Sequence, residues 1–244
     1  LDRFEELTGA RLLYGFHQIG GTRYDMPAGW DKKVRETVDF IEARLDEYEA
    51  MLEENTFFRV RTQGVGVISS ELAQSVGVSG PLIRGSGVGY DVRRAEPYSS
   101  YGDFSFDVPV ETAGDCYARY RVRMVEFRQS IRIVRQALDG LPEGPISSRP
   151  GVKSVGQVRV PKGEGYARVE GARGEVGCHI VSDGGPKAYR MKWRGGALSH
   201  LAPPPPTAAR HPGAAGGGGM GRAGPGVRRG GRRGGGGRPP PAGR

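Results

Sequence analysis

Cysteine is scarce in this chain: only Cys116 and Cys178 occur among 244 residues, far apart in sequence. Two distant thiols form neither a disulfide framework nor a Cys-x-x-Cys metal site, and they point to a reducing compartment. Long apolar runs are missing as well. No stretch approaches the roughly 20 residues needed to cross a bilayer, so any link to a membrane would run through other proteins. The four histidines, His17, His179, His200 and His211, show no ligand spacing to one another or to the cysteines. His179 directly follows Cys178, and on a strand their side chains would face opposite sides, which argues against a zinc site. No Gly-x-Ser-x-Gly elbow occurs, so triad chemistry is unsupported. Gly85-Ser-Gly87-Val-Gly89 lacks the Gly-Lys-Ser/Thr ending of a phosphate loop and reads instead as tight turning and close backbone approach.

Lysine and carboxylates vanish towards the C-terminus. From Gly195 to Arg244 there are 17 Gly, 9 Pro, 8 Ala and 8 Arg, with no Lys, Asp or Glu. Those 8 arginines supply most of the formal net charge of +9 and leave +1 for residues 1–194. The basic balance therefore belongs to the tail and says nothing about the body. No window of the tail holds enough apolar surface to offset the chain entropy lost on folding, so residues 195–244 are expected to be disordered. Runs such as Arg228-Arg-Gly-Gly-Arg-Arg233 would suit a salt-dependent RNA-binding segment. Out-of-frame translation of GC-rich DNA yields the same mixture.

What is present is mostly helical pattern. Leu1 to Thr8 reads as the last turns of a helix stopped by Gly9. A helix entered part-way, without an initiator Met, suggests a fragment. From about Asp31 to Asn55 the apolar positions Val34, Val38, Ile41, Leu45, Tyr48 and Leu52 fall at spacings of four and three. From about Asp115 to Leu138, Tyr117, Tyr120, Met124, Phe127, Ile131, Val134 and Leu138 form a similar stripe. The first helix carries nine acids and four bases, the second six arginines and two acids. Two amphipathic core helices would satisfy this pattern. Opposite charge further suggests that they pack side by side with complementary rims, the apolar stripes doing most of the holding.

Between them lies Gly64 to Pro109, rich in Gly and Pro and without periodicity, where Val65, Val67 and Ile68 could form a brief strand. A connection this long is uncommon unless functional or packed as an interface. After Gly140 a Pro/Gly/Ser linker leads to candidate strands at Tyr166–Val169, Glu175–Ser182 and Ala188–Trp193, with Ser182-Asp183-Gly184-Gly185 as a hairpin turn. The fold class expected is α+β, mainly helical, with a small β-hairpin region and a disordered tail.

One ordered set of motifs goes further: Leu1-Asp-Arg-Phe-Glu-Glu-Leu-Thr-Gly-Ala-Arg11, Ile19-Gly-Gly21, Asp46-Glu-Tyr-Glu49, Gly64-Val-Gly-Val-Ile68, the block from Gly80 to Tyr98, Pro161-Lys-Gly-Glu164, Arg173-Gly-Glu175, Val181-Ser-Asp-Gly184 and Tyr189-Arg-Met-Lys192. Through these, residues 1–201 resemble the C-terminal half of the 49 kDa subunit family of respiratory complex I, the NADH-quinone oxidoreductase. The resemblance implies a fragment of a hydrogenase-large-subunit-like fold over residues 1–194, in a subunit that binds no cofactor itself. It implies FMN and iron–sulfur clusters in partner subunits, quinone as the substrate, and a place beside the subunit holding the terminal cluster and adjoining peripheral-arm and membrane-arm subunits. It also implies a peripheral position on the cytoplasmic face of a bacterial plasma membrane, with this piece inactive by itself. A subunit of an energy-converting nickel–iron hydrogenase, and an RNA-binding protein acting through the tail, are the alternatives.

Three departures from the family pattern stand out. The N-terminal half, with the His and Tyr that the resemblance implies contact the quinone headgroup, has no counterpart here. The position two after Arg11, often a His that hydrogen-bonds near the terminal cluster, is Leu13. An apolar residue cannot supply that bond, so the resemblance implies a lower-potential, less pH-dependent cluster that suits menaquinone; His17, four residues on, either stands in or is an unrelated surface or core histidine. Finally, the chain turns into Pro203-Pro-Pro-Pro where the family continues apolar, which suggests a frameshift between about Arg194 and Pro203.

Overall fold

The computed structural model describes residues 1–148 and 160–200. Its spine is a pair of antiparallel helices, α2 (Trp30–Glu53) and α7 (Cys116–Asp139), within one residue or two of the periodic stretches. Val38 and Leu45 of α2 pack on Met124 and Ile131 of α7, with Val34 and Tyr120 partly buried beside them. The charged rims then meet in register. Arg128 reaches Asp46 and Glu49, Arg135 reaches Asp39 and Glu42, and Arg35 reaches Asp139. The partner sets of Arg128 and Arg135 step by seven residues, the spacing at which two helical turns return a side chain to one face. Not all of the α2 stripe enters this seam: Ile41 and Tyr48 stay 41% and 50% exposed, so the stripe is wider than the one partner helix.

Short elements surround the pair. The first is α1 (Asp2–Thr8), closed by Gly9 at φ 73°, the left-handed cap expected there. Trp30 Nε1 donates to the Arg3 carbonyl at 2.8 Å and ties α1 to the start of α2. A two-residue hairpin follows, β1 (His17–Gln18) against β2 (Gly21–Thr22). Beyond α2 comes α3 (Thr56–Thr62), capped by the Asn55 side chain.

The Gly/Pro-rich stretch is helical in pieces: α4 (Ser70–Ser75), the single-turn α5 (Pro81–Arg84) and α6 (Val92–Ala95), with a 3-10 turn at Tyr101–Asp103. The strand expected at Val65–Ile68 does not form. Gly64 and Gly66 take φ 67° and 63°, which breaks an extended run. Isolated backbone bonds remain, among them Ile68 N to Gly114 O and Cys116 N to Val65 O. Ile68, Ala73, Val78, Leu82 and Ile83 make a second core cluster here.

The β region is one antiparallel sheet of β3 (Gly163–Gly171), β4 (Gly174–Ser182) and β5 (Arg190–Arg194), in that order. The tight turn sits between β3 and β4, where Gly171 pairs with Gly174. The expected turn at Ser182–Gly185 opens a longer connection, starting with Asp183 Oδ1 accepting from Gly185 N at 2.8 Å. Order continues past Arg194 into α8 (Gly196–His200), which falls within the stretch expected to be disordered. His200 is buried, its Nε2 lying 3.2 Å from the Ser79 carbonyl oxygen. The rest of the expected tail, 201–244, lies outside the described residues. The architecture is α+β, with helices dominant.

Candidate functional site

Arg84 closes the one-turn helix α5, and its side chain is 1% exposed. Pro81 presets the first helical φ, and a Cβ on Gly85 would meet Cγ of Arg119 at 2.9 Å, so α5 lies hard against α7. This close approach turns the guanidinium inward. Its Nη1 donates to the Tyr90 carbonyl at 2.9 Å and lies 3.4 Å from Asp91 Oδ2. Its Nη2 lies 2.5 Å from Glu126 Oε1 and 3.1 Å from Glu170 Oε1. Four elements, α5, α6, α7 and β3, thus bring charges to one point.

Within the cluster the carboxylates are served unequally. Asp91, whose side chain is fully buried, caps α6 by accepting from Arg93 N at 2.9 Å. The Arg93 guanidinium also clasps it, with Nη2 at 2.6 Å and Nε at 3.0 and 3.2 Å. Burial pushes Asp91 up, but the Arg93 hydrogen bonds and the Arg84 charge outweigh it and hold the carboxyl below its ordinary range. Glu126 and Glu170 go the other way: burial raises both, against the pull of Arg84. Glu126 Oε1 is close to Arg84 but receives no directed N–H, and Nε of Arg84 has no hydrogen-bond partner among the described residues.

A second polar knot joins the sheet to the body. Glu175 of β4 accepts from Tyr90 Oη at 3.2 Å and from Arg168 Nη1 at 3.3 Å, and its Oε1 lies 3.3 Å from Arg194 Nη1. Arg168 also clasps Glu96 just past α6. Phe106, 1% exposed, lies under the guanidinium groups of Arg93 and Arg94 at 5.0 and 4.4 Å. These contacts fix α6 between the sheet and the loop before α7.

The residues singled out from sequence lie elsewhere. Leu13 adopts φ 57° and is 96% exposed, beside Leu12 at 76%. Left-handed backbone is costly for Leu, about 1–2 kcal/mol, and here it accompanies a side chain turned away from the body. His17 lies in β1, exposed, paired with Thr22 and packed edge-on against the Phe16 ring. The structure does not bring Leu13 or His17 to the Arg84 cluster. Arg84, Asp91, Glu126 and Glu170 were not picked out in sequence, although an arginine between Ile83 and Gly85 and a lone acid between Val125 and Phe127 are charges in apolar settings. Among the described residues no group of three His, Cys, Asp or Glu side chains is placed to hold a metal ion. No helix among them is long and apolar enough to cross a membrane.

Over residues 1–211 the sequence matches the family described as respiratory-chain NADH dehydrogenase, 49 Kd subunit. The chain belongs to this family. Among its relatives, the NADH-quinone oxidoreductase D-subunit of Desulforamulus reducens is 42% identical over 194 residues, covering 80% of this chain and 52% of the relative. The NADH-quinone oxidoreductase D-subunit of Geobacillus kaustophilus is 44% identical over 195 residues, with 80% and 52% covered. The F(420)H(2) dehydrogenase D-subunit of Methanosarcina mazei is 44% identical over 197 residues, with 80% and 53% covered. The chain spans about half the length of these 49 kDa-family relatives. The buried Arg84 cluster lies wholly inside the matched span.

Proposed function

We propose that this chain works in the core peripheral-arm subunit of a proton-translocating NADH:quinone oxidoreductase, where it helps to form the quinone-reduction chamber beside the terminal iron–sulfur cluster of a partner subunit. The observation that carries this reading is the 42–44% identity to proteins named as D-subunits of NADH-quinone oxidoreductase. FMN and the clusters belong to partner subunits, and this subunit contributes positioning and electrostatics around chemistry held elsewhere. Its fold is a piece of a hydrogenase-large-subunit-like domain, and the chain past α8 (Gly196–His200) is a tail read out of frame. The assembly sits at the cytoplasmic face of a bacterial plasma membrane. Leu13 faces the terminal cluster, supported by a side chain turned 96% into solvent by a left-handed backbone. His17, in β1, is the residue that could stand in.

The Methanosarcina relative, named for F(420)H(2), matches as closely as the relatives named for NADH. The electron donor is therefore set outside this chain, and a non-NADH donor is the second reading. Inactivating the gene tests both. Membranes should lose NADH-driven quinone reduction and regain it when the gene is restored. Unchanged NADH-driven activity removes the first reading, and loss of F(420)H(2)-driven reduction alone supports the second.

A further inference from the structure

We propose that Glu126 and Glu170 share a single proton beside the Arg84 guanidinium, which makes the buried cluster a proton-holding site of this subunit. The site follows from the cluster's geometry and holds whichever electron donor or quinone the assembly uses.

Positive charge is short at the point of contact. Three carboxylates, Asp91, Glu126 and Glu170, meet two guanidinium groups, Arg84 and Arg93. Arg93 is committed to Asp91 through three contacts. Nη1 of Arg84 is committed to the Tyr90 carbonyl and the far oxygen of Asp91. Only Nη2 of Arg84 remains, and both glutamates converge on it, at 2.5 and 3.1 Å. Two carboxylates facing each other across one nitrogen, with side chains 16% and 5% exposed, repel strongly where water is scarce. One bound proton removes that repulsion, and in such a pair it belongs to both residues.

Arg93 and Arg123 act on the pair through their charge, but among the described residues no cation other than Arg84 makes an ion pair with either glutamate. From α7, Arg123 is a further cation, but its Nη1 is spent on the Arg119 carbonyl at 3.3 Å, and burial and Arg119 disfavour its charged form. Arg119 itself donates to the carbonyls of Gly114 and Gly66 and to Cys116 Sγ. From α6, Arg94 is turned to the Phe106 carbonyl. From β3, Arg168 serves Glu96 and Glu175, and from β4, Glu175 adds another negative charge nearby. Glu170 gains a long bond from Val92 N, 3.4 Å, and Tyr98 Oη accepts from the Glu170 backbone N–H instead of donating to its carboxylate. Among the described residues, Arg84 is the one cation paired with Glu126 or Glu170. Burial pushes both carboxyls up, in the direction the geometry demands. Glu126, the more exposed of the two, is the side by which a proton enters and leaves.

Infrared difference spectroscopy on the full 244-residue chain tests the proposal at about pH 7, where exposed carboxyls are ionised. The expected result is a protonated-carboxyl C=O band in the wild type that is lost in Glu126→Gln and also in Glu170→Gln. Either change leaves Arg84 one glutamate, which then ionises. A wild type without the band overturns the proposal. Loss in one variant alone overturns the sharing, because the proton then belongs to that residue. Should a variant fail to fold, titrating the wild-type band decides: it must persist above the ordinary glutamate range of about 4.3.

Discussion

The Arg128 guanidinium holds the Glu49 carboxylate with both terminal nitrogens, Nη1 to Oε1 at 2.7 Å and Nη2 to Oε2 at 2.6 Å, across the α2–α7 seam. The fork geometry is the strong form of an ion pair, but Arg128 and Glu49 side chains remain 34% and 27% exposed. Arg128→Ala should therefore cost about 1 kcal/mol in a denaturant titration. The Arg128 hydrogen bonds hold Glu49 below its ordinary range. A carboxyl depressed on folding stabilises fully above its unfolded pKa of about 4.3, and that contribution is lost as pH falls through the folded value. The stability gap between wild type and Arg128→Ala should thus be full at neutral pH and close in acid. A gap that does not change with pH would contradict the pairing.

The buried cluster responds differently. Arg84→Met removes the cation on which Glu126 and Glu170 both depend and should destabilise the chain by about 3–5 kcal/mol, read as a lower denaturation midpoint. The double change Glu126→Gln with Glu170→Gln in the Arg84→Met background should recover much of the loss, because no uncompensated buried carboxylate charge is left. Recovery no larger than additive would mean that the glutamates do not act through Arg84.

Gly80 and Gly174 bring two backbones into contact at the start of the central strand β4. A Cβ on Gly174, at φ 112°, would meet Ser79 Oγ at 2.7 Å and Ser79 backbone atoms at 2.8 Å. Gly174→Ala should cost about 2–4 kcal/mol, from strained backbone together with overpacking. Gly163→Ala makes the control: φ is 158° there and nothing lies near the new methyl, so its effect should be smaller.

Leu13 yields a prediction in two parts. Its side chain is 96% exposed, so Leu13→Gly loses no packing and relieves the left-handed strain. The balance against glycine's extra unfolded-state entropy, about 0.5–1 kcal/mol, leaves stability equal or slightly raised in thermal melts. In the intact assembly, Leu13→His should make the terminal cluster's potential fall more steeply with pH. A wild-type cluster that already shows the steep dependence would contradict the role given to Leu13.

The long helices were legible because spacing and charge agree on them. Their apolar spacing gives the buried seam, and their opposite charge gives the ladder from Arg35–Asp139 to Arg128–Glu49. The stretch from Gly64 to Pro109 was not legible as structure, because α4, α5 and α6 are too short to show a helical period. The sheet was legible in part. The Asp183-Gly184-Gly185 signal marks the connection between β4 and β5, which do pair, though through a longer loop, whereas the tight turn flanked by Gly171 and Gly174 carries no such signal. The Arg84 cluster was least legible, since its members sit at positions 84, 91, 126 and 170 and meet only after four elements pack.

The most direct measurement is the composition of the assembly that holds this chain, isolated from native membranes in mild detergent by antibody capture. The account predicts co-isolation with flavin-bearing and iron–sulfur subunits in a particle that reduces quinone. A chain recovered alone, or with RNA and no flavin or iron, would contradict it.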